Sequence, residues 1–411
     1  MKQVTNGQTN GHARAAENVE LAVLKRYAEG ALKKQKKLCC PVTYNPKYLN
    51  AIPQEILEKD YGCGDPSAYL KEGEVVLDLG SGAGKICYIA SQVVGPRGKV
   101  IGIDFNPEML ELAHKYQKEV STRIGWNNVS FLRGRIQDLK TDSDWVEREL
   151  RKKSVQSLED LTRFEAKIKA HQDHHPLIAD ESVDVIVSNC VLNLVRTEDK
   201  KQLFREMHRV LKKGGRIAVS DIVSDEEVPE SMQRNPKLWS GCIAGAFQEK
   251  AFIRAFEEAG FYGITLEKRD DTSWQTVRGI EFRSVTVVAY KGKEGACWER
   301  NQAVIYKGPW KQVEDDDHHV LRRGARTAVC DKTFQIYSKE PYRGQFYFVE
   351  PLKAVSISNA ISFSATKRSG SAAQFGGDCE RDEERDPRET KGHAYRKTKK
   401  PESVCMDGGC C

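Results

Sequence analysis

Twelve cysteines occur in the chain, yet no two form a CxxC pair, which excludes a zinc ribbon or finger built on that spacing. No apolar run reaches 18 residues, and no apolar h-region follows the start Met1-Lys2-Gln3-Val4. The expectation is a soluble, cytoplasmic protein with neither secretion leader nor membrane anchor. Charge of one sign is not in excess: 65 basic and 59 acidic residues leave +6 over 411 residues, which argues against a nucleic-acid partner. In such a compartment the cysteines, at 39, 40, 63, 87, 190, 242, 297, 330, 379, 405, 410 and 411, read as thiols kept for chemistry rather than a disulfide scaffold.

What is present is a β/α alternation. Residues 1–15 are polar and read as disordered; 16–37 carry apolar residues at helical spacing; 38–72 are proline-interrupted, and 16–73 form an N-terminal segment. From Glu74, "EVVLDLG" (74–80), "GKVIGIDF" (98–105), "VSFLRGRI" (129–136), "SVDVIVSN" (182–189) and "RIAVSDIV" (216–223) read as strands. Helical patterns fall between several of them, including 199–215, closed by Gly214 and Gly215. This predicts an α/β fold with a mainly parallel, doubly wound sheet over 74–225. A charged insertion, 139–181, places Leu158, Leu161, Phe164 and Ile168 at amphipathic helical spacing. Residues 226–295 add strands able to pair antiparallel at an edge, 296–365 read as a smaller C-terminal accessory domain, and 366–411 as a flexible tail.

"LDLGSGAGK" sets Gly80, Gly82 and Gly84 between a strand and a helix, where missing Cβ atoms allow a tight turn and close approach to a ligand. Asp104 ends the next strand and can bridge two ribose hydroxyls. Asp78, inside the first strand, needs a partner if buried. The loop is neither GxGxxG nor GxxxxGK[ST]. Its DxGxGxG arrangement resembles motif I of the class I S-adenosylmethionine-dependent methyltransferases, Rossmann-like enzymes, which implies S-adenosylmethionine as cofactor. "RIQDL" (135–139) lies where such enzymes contact adenine.

Cys190 follows the fourth strand, at the sheet edge where α/β proteins bind ligands. Cys63 in "DYGCGDP" and Cys242 in "LWSGCIAGA" stand beside glycines, which suggests accessible thiols. Three thiolates suit a soft trivalent ion, with lowered thiol pKa values expected. "DYGCGDP", "VLDLGSGAGK", "VIGIDFNPEML", "VDVIVSNCVLNLV", "VLKKGGRIAVSDIV" and "GCIAGA" together resemble the arsenite methyltransferases over about 18–290, and more loosely to 333.

The resemblance implies that Cys63, Cys190 and Cys242 bind trivalent arsenic (arsenite or methylarsenite) and that Tyr61 helps hold the sulfonium ligand. It implies adenosyl contacts at Asp104, Phe105, Ile136 and Gln137, the last often acidic in the family, with Val187, Ser188 and Asn189 lining the same pocket. It further implies that Cys39 or Cys40, the sequence choosing neither, pairs with Cys63 in turnover, with thioredoxin or glutathione as thiol reductant. Cys87, Cys297 and Cys330 read as packing residues. Cys410 and Cys411 read as a dispensable tail pair rather than an arsenite-capturing arm. A monomer is expected. A sterol- or quinone-type methyltransferase would need no such set of cysteines, and a non-catalytic metalloid-binding protein would not need the intact glycine loop.

Overall fold

The computed structural model describes residues 9–33, 35, 42–351 and 353–363, with side chains from Val19 onward. Cys39, Cys40, Cys379, Cys405, Cys410 and Cys411 lie outside the described residues. Two compact units divide the chain, Met1–Gly292 and Lys293–Cys411.

The first unit opens with α1 (Thr9–Leu32), which begins inside the 1–15 segment read as disordered and stops short of residue 37. Short helices α2 (Pro46–Leu49) and α3 (Gln54–Glu58) follow. Then come β1 (Val75–Leu79), α4 (Lys85–Val94), β2 (Lys99–Asp104), α5 (Pro107–Ile124), β3 (Val129–Arg133), α6 (Ser143–Lys152), α7 (Leu158–His174), β4 (Val183–Asn189), α8 (Lys200–Val210) and β5 (Leu211–Ser224). The unit closes with α9 (Glu230–Gln233), α10 (Pro236–Trp239), β6 (Phe247–Gln248), α11 (Glu249–Glu258), β7 (Tyr262–Arg269), β8 (Gln275–Val277) and β9 (Ile280–Tyr290).

The strand order is β3-β2-β1-β4-β5-β9-β7. Strands β1 to β5 are parallel, whereas β9 runs antiparallel to both β5 and β7. Alternation along β1 feeds two cores: Val76 packs with Ala90, Val100 and Val120, and Leu77 with Ile186, Leu203 and Phe256. The chain leaves β1 toward β2 on one side and reaches β4 on the other, so the carboxyl end of β1 faces a crevice.

Local sequence explains most boundaries. Asn106 caps α5 through the Met109 amide with Pro107 in its first turn, and Gly125 ends it in a left-handed conformation. The helix over 199–215 is shorter than expected: α8 stops at Val210, and β5 already begins at Leu211. Gly214, at φ +79, bends that strand while its amide donates to the Lys291 carbonyl.

The insertion departs from its pattern as well. α7 buries no side chain; Leu158 is 79% and Leu161 40% exposed. The α6–α7 pair is instead joined by Glu149, which accepts from both Lys152 and Lys167, and by the Trp145 indole stacked on His171 at 3.9 Å.

The second unit is built from β10 (Trp298–Glu299), β11 (Ala303–Tyr306), β12 (Gln312–Glu314), β13 (Val320–Arg322), β14 (Arg326–Ala328), α12 (Asp331–Tyr337), β15 (Phe346–Val349) and β16 (Ile361–Ser362). Val304, Tyr306, Phe334 and Tyr337 form its core. No helix among the described residues is long and apolar enough to cross a membrane.

Urea unfolding separates these environments. Leu158→Ser is expected to change stability by no more than about 0.5 kcal/mol. Phe252→Ala, which empties a buried ring packed against Phe256, is expected to cost about 3–5 kcal/mol.

Candidate functional site

Beyond the carboxyl end of β1 the backbone doubles back under a cleft. The Gly80 and Ser81 amides donate to the Ile103 carbonyl at 2.8 and 2.9 Å, tying the turn to β2. Gly80, Gly82 and Gly84 all have positive φ, +73, +51 and +87. A Cβ on Gly80 would meet Val191 at 2.4 Å, whereas one on Gly82 would point into open space. The Gly82 amide donates to Asp104 at 2.8 Å, and the Asn106 amide binds the other carboxylate oxygen at 2.8 Å. Burial nevertheless raises the Asp104 pKa against those bonds. Asp78 forms part of the floor, where burial lifts its pKa to about 7, with help from Asp104 and Asp60. Its partner is the Cys87 thiol, which donates at 3.2 Å. Ser81 Oγ is buried in the same lining without a hydrogen-bond partner.

Tyr61, Phe105, Ile136, Gln137 and Asn189 line this cleft together with the glycines at 80 and 82. The Tyr61 hydroxyl donates to the Gly30 carbonyl at 3.0 Å, and the ring meets Tyr27 edge to face. The Arg135 guanidinium lies 4.8 Å from the Phe105 ring centre. Three expected lining residues are elsewhere. Gly84 caps α4, where a Cβ would strike Phe131 at 2.7 Å. Val187 is fully buried in the core. The Ser188 hydroxyl is also buried and donates to the Leu79 carbonyl at 3.0 Å, joining β4 to β1.

The three cysteines from distant segments converge. Cys63, Cys190 and Cys242 are 2%, 4% and 3% exposed and share one apolar cluster. The Cys63 and Cys190 sulfurs and an Asp221 carboxylate oxygen all lie within 4.8 Å of one another. The Cys242 thiol donates to the Cys190 carbonyl at 3.4 Å. Cys190 and Cys242 have φ +64 and +62, a region that non-glycine residues rarely occupy and that collects at functional sites. The glycines beside Cys63 do not expose it. A Cβ on Gly62 would lie 2.2 Å from Asn189, and one on Gly64 2.4 Å from Ser220.

The expectation of lowered thiol pKa values is overturned for two of the three. At Cys190 the Cys242 hydrogen bond lowers the pKa, but Cys63, burial and neighbouring negative charge outweigh it, and the result lies well above the ordinary thiol value. At Cys242 the Cys190 hydrogen bond, then burial, push in the same upward direction.

Two side chains near the thiols have structural roles that sequence did not reveal. Asn189 Oδ1 accepts from the Cys63 and Gly64 amides at 2.8 and 3.1 Å, while Nδ2 donates to the Gly64 carbonyl at 2.8 Å and the Tyr44 hydroxyl at 3.1 Å. All four positions of its carboxamide are therefore used. Asp221, fully buried, accepts from the Leu192 and Ile222 amides and from Asn193 Nδ2 at 2.7–2.9 Å. It holds the turn that follows Cys190, and burial raises its pKa to about 6. Two of the three cysteines read as packing residues also do more: Cys87 holds Asp78, and Cys297 is disulfide-bonded. Cys330 is buried and caps α12.

A family model described as a methyltransferase domain matches residues 70–147 and 149–260, and one described as a domain of unknown function matches 293–395. The arsenite methyltransferase of Aquipseudomonas alcaligenes is 31% identical over 327 residues, 76% of this chain and 84% of that protein. The arsenite methyltransferase of Mus musculus is 30% identical over 317 residues, 74% and 75% of the two chains. Among solved structures, the arsenic(III) S-adenosylmethionine methyltransferase of Chlamydomonas reinhardtii superposes with a TM-score of 0.51 at 25% identity, over 79% of this chain and 99% of that one.

Asn189→Ala removes acceptor and donor at once and leaves the Cys63 and Gly64 amides without their partner. The expected loss is about 1–3 kcal/mol of unfolding free energy, together with faster alkylation of Cys63 by iodoacetamide in the folded protein. Unchanged stability and unchanged alkylation would show that the carboxamide does not hold the loop.

Proposed function

The chain belongs to the arsenite methyltransferase family, whose members are S-adenosylmethionine-dependent enzymes, and from that premise we propose that Cys63, Cys190 and Cys242 bind the trivalent arsenic that it methylates. The observation that carries this assignment is the meeting of three thiols beside the glycine-loop cleft, two of them in a strained backbone conformation.

The cleft fits the methyl donor. Open space above Gly82 admits a close backbone approach, Ser81 offers an unpartnered hydroxyl, and two carboxylates stand at either end of the turn. S-adenosylmethionine supplies an electrophilic methyl group on a cationic sulfur. Asp104 would hold its ribose hydroxyls, Phe105, Ile136 and Gln137 would flank its adenine, and Tyr61 and Asp78 would face its charged half.

Arsenite enters as the neutral trihydroxide. Three S–H and three As–OH bonds become three As–S bonds and three waters. Each thiol proton leaves with a hydroxyl, so raised thiol pKa values at Cys190 and Cys242 do not oppose loading. Three sulfurs leave arsenic its lone pair, which is the nucleophile, and no side chain has to remove a proton. What the chain contributes is proximity and alignment. Methylation oxidises arsenic by two electrons. Two thiols closing a disulfide return them, with Cys63 and one of Cys39 and Cys40 as the pair and thioredoxin or glutathione as the external reductant. Methylarsenite, with two hydroxyls, exchanges them for two As–S bonds and two waters and keeps its lone pair. We assign the enzyme to the cytoplasm, as a monomer.

Purified protein given arsenite, reductant and S-adenosylmethionine is expected to form methylated arsenicals, detected by mass spectrometry. Cys190→Ser and Cys242→Ser are each expected to slow this roughly 100-fold or more; a rate equal to the parent protein's refutes the three-thiol assignment.

A second test uses pH. A carboxyl group titrating near 7 is neutral below that value and anionic above it. Affinity for S-adenosylmethionine should therefore rise between pH 6 and pH 8 relative to that for S-adenosylhomocysteine, whose thioether sulfur carries no charge, measured by calorimetry. Asp78→Asn should flatten the difference, and a difference that persists in that variant removes Asp78 from the role.

A further inference from the structure

Arsenic held by three sulfurs carries its lone pair where a fourth ligand would stand. A divalent cation of the zinc type has no such pair and takes four donors, sulfur at about 2.3 Å and carboxylate oxygen at about 2.0–2.2 Å. Beside the thiols stands a buried oxygen. The Cys63 sulfur, the Cys190 sulfur and an Asp221 oxygen lie within 4.8 Å of one another, and all three residues are buried. Donors of a tetrahedral zinc site are separated by roughly 3.8 Å for two sulfurs, from the metal–sulfur distance above. Small rotations would close the set.

We infer that Cys63, Cys190 and Asp221 form a site for a thiophilic divalent cation, zinc or its analogues, with Cys242 as fourth donor. Cys242 is held next to this set by its thiol's hydrogen bond to the Cys190 carbonyl at 3.4 Å. Asp221 is oriented as a metal-binding carboxylate usually is, by fixed outer partners. One oxygen accepts from Ile222 N and Asn193 Nδ2, and the other from Leu192 N at 2.9 Å. Loading releases one proton from each thiol to solvent, and three thiolates with one carboxylate around a divalent ion give the same net charge as a four-cysteine zinc centre. Because Cys63 and Cys190 serve both ions, the cation and arsenic exclude one another. That competition, though not the cation site itself, rests on the arsenic assignment made above.

Cobalt(II) titrated into the reduced full-length chain, free of arsenic, is the probe. The expected result is one equivalent showing the intense bands of tetrahedral cobalt and thiolate-to-cobalt charge transfer, bleached by zinc and separately by arsenite. Cys63→Ser, Cys190→Ser and Asp221→Asn should each weaken binding about tenfold or more. Folding of each variant is checked by its thermal transition, and Asp221→Glu, which keeps the oxygen donor, should retain the charge-transfer band if Asp221→Asn unfolds. Weak octahedral-type bands, or a tetrahedral spectrum indifferent to Cys190→Ser, overturn the inference, the latter by placing the cobalt on other cysteines. Bleaching by zinc but not by arsenite keeps the cation site and overturns the competition. The titration requires no turnover, so failure of arsenic methylation and failure of cation binding are read separately.

Discussion

The carboxamide of Asn189 joins the end of β4 to the loop that carries Cys63, and the relative placement of two thiols depends on that junction. Cys190 is the next residue, so whatever fixes Asn189 fixes the Cys190 backbone as well. Gly62 and Gly64 permit the contact by leaving no Cβ between loop and strand. Three local choices of residue type therefore act as one unit, and their effect is felt at a sulfur that none of them supplies.

A second constraint works from the other side. Cys190 and Cys242 are held at positive φ, which costs of order 1–3 kcal/mol each for a residue with a Cβ. Such backbone persists only where surrounding bonds over-determine it. Here the Cys190 amide donates to the Ser220 carbonyl at 2.7 Å, and Asp221 holds the turn beyond it. The Cys242 amide donates to the Trp239 carbonyl, and the Trp239 indole reaches the Leu194 carbonyl. β5 thus supplies both the platform for Cys190 and the carboxylate beside it.

Much of this was legible in the sequence because it follows from short-range rules. Apolar runs marked β1 to β5 along the chain, and the strand-like residues within 226–295 announced the antiparallel edge. The cysteines were legible through their flanking residues, although the glycines beside Cys63 were misread, because their function depends on a side chain far along the chain. Asp221 was hidden for the same reason: "VSDIV" reads as an ordinary strand, and only the fold brings the 191–194 turn onto its carboxylate. The raised thiol pKa values at Cys190 and Cys242 could not be foreseen, since burial and thiol-to-thiol contact are tertiary facts. The exposed stripe on α7 shows the converse, a helical period with no core to receive it.

Cys63, Cys190 and Cys242 come from a loop before the sheet, the crossing point at its centre and a loop beyond β5. A ribosome therefore delivers the first sulfur long before the last, and a chain interrupted ahead of residue 242 owns at most two of the three. An unfolded polypeptide has all three but scatters them. Anything that grips them together recognises the finished tertiary structure, and by mass action holds the molecule in it. A ligand held by all three sulfurs would thus double as a fastener between segments far apart in sequence.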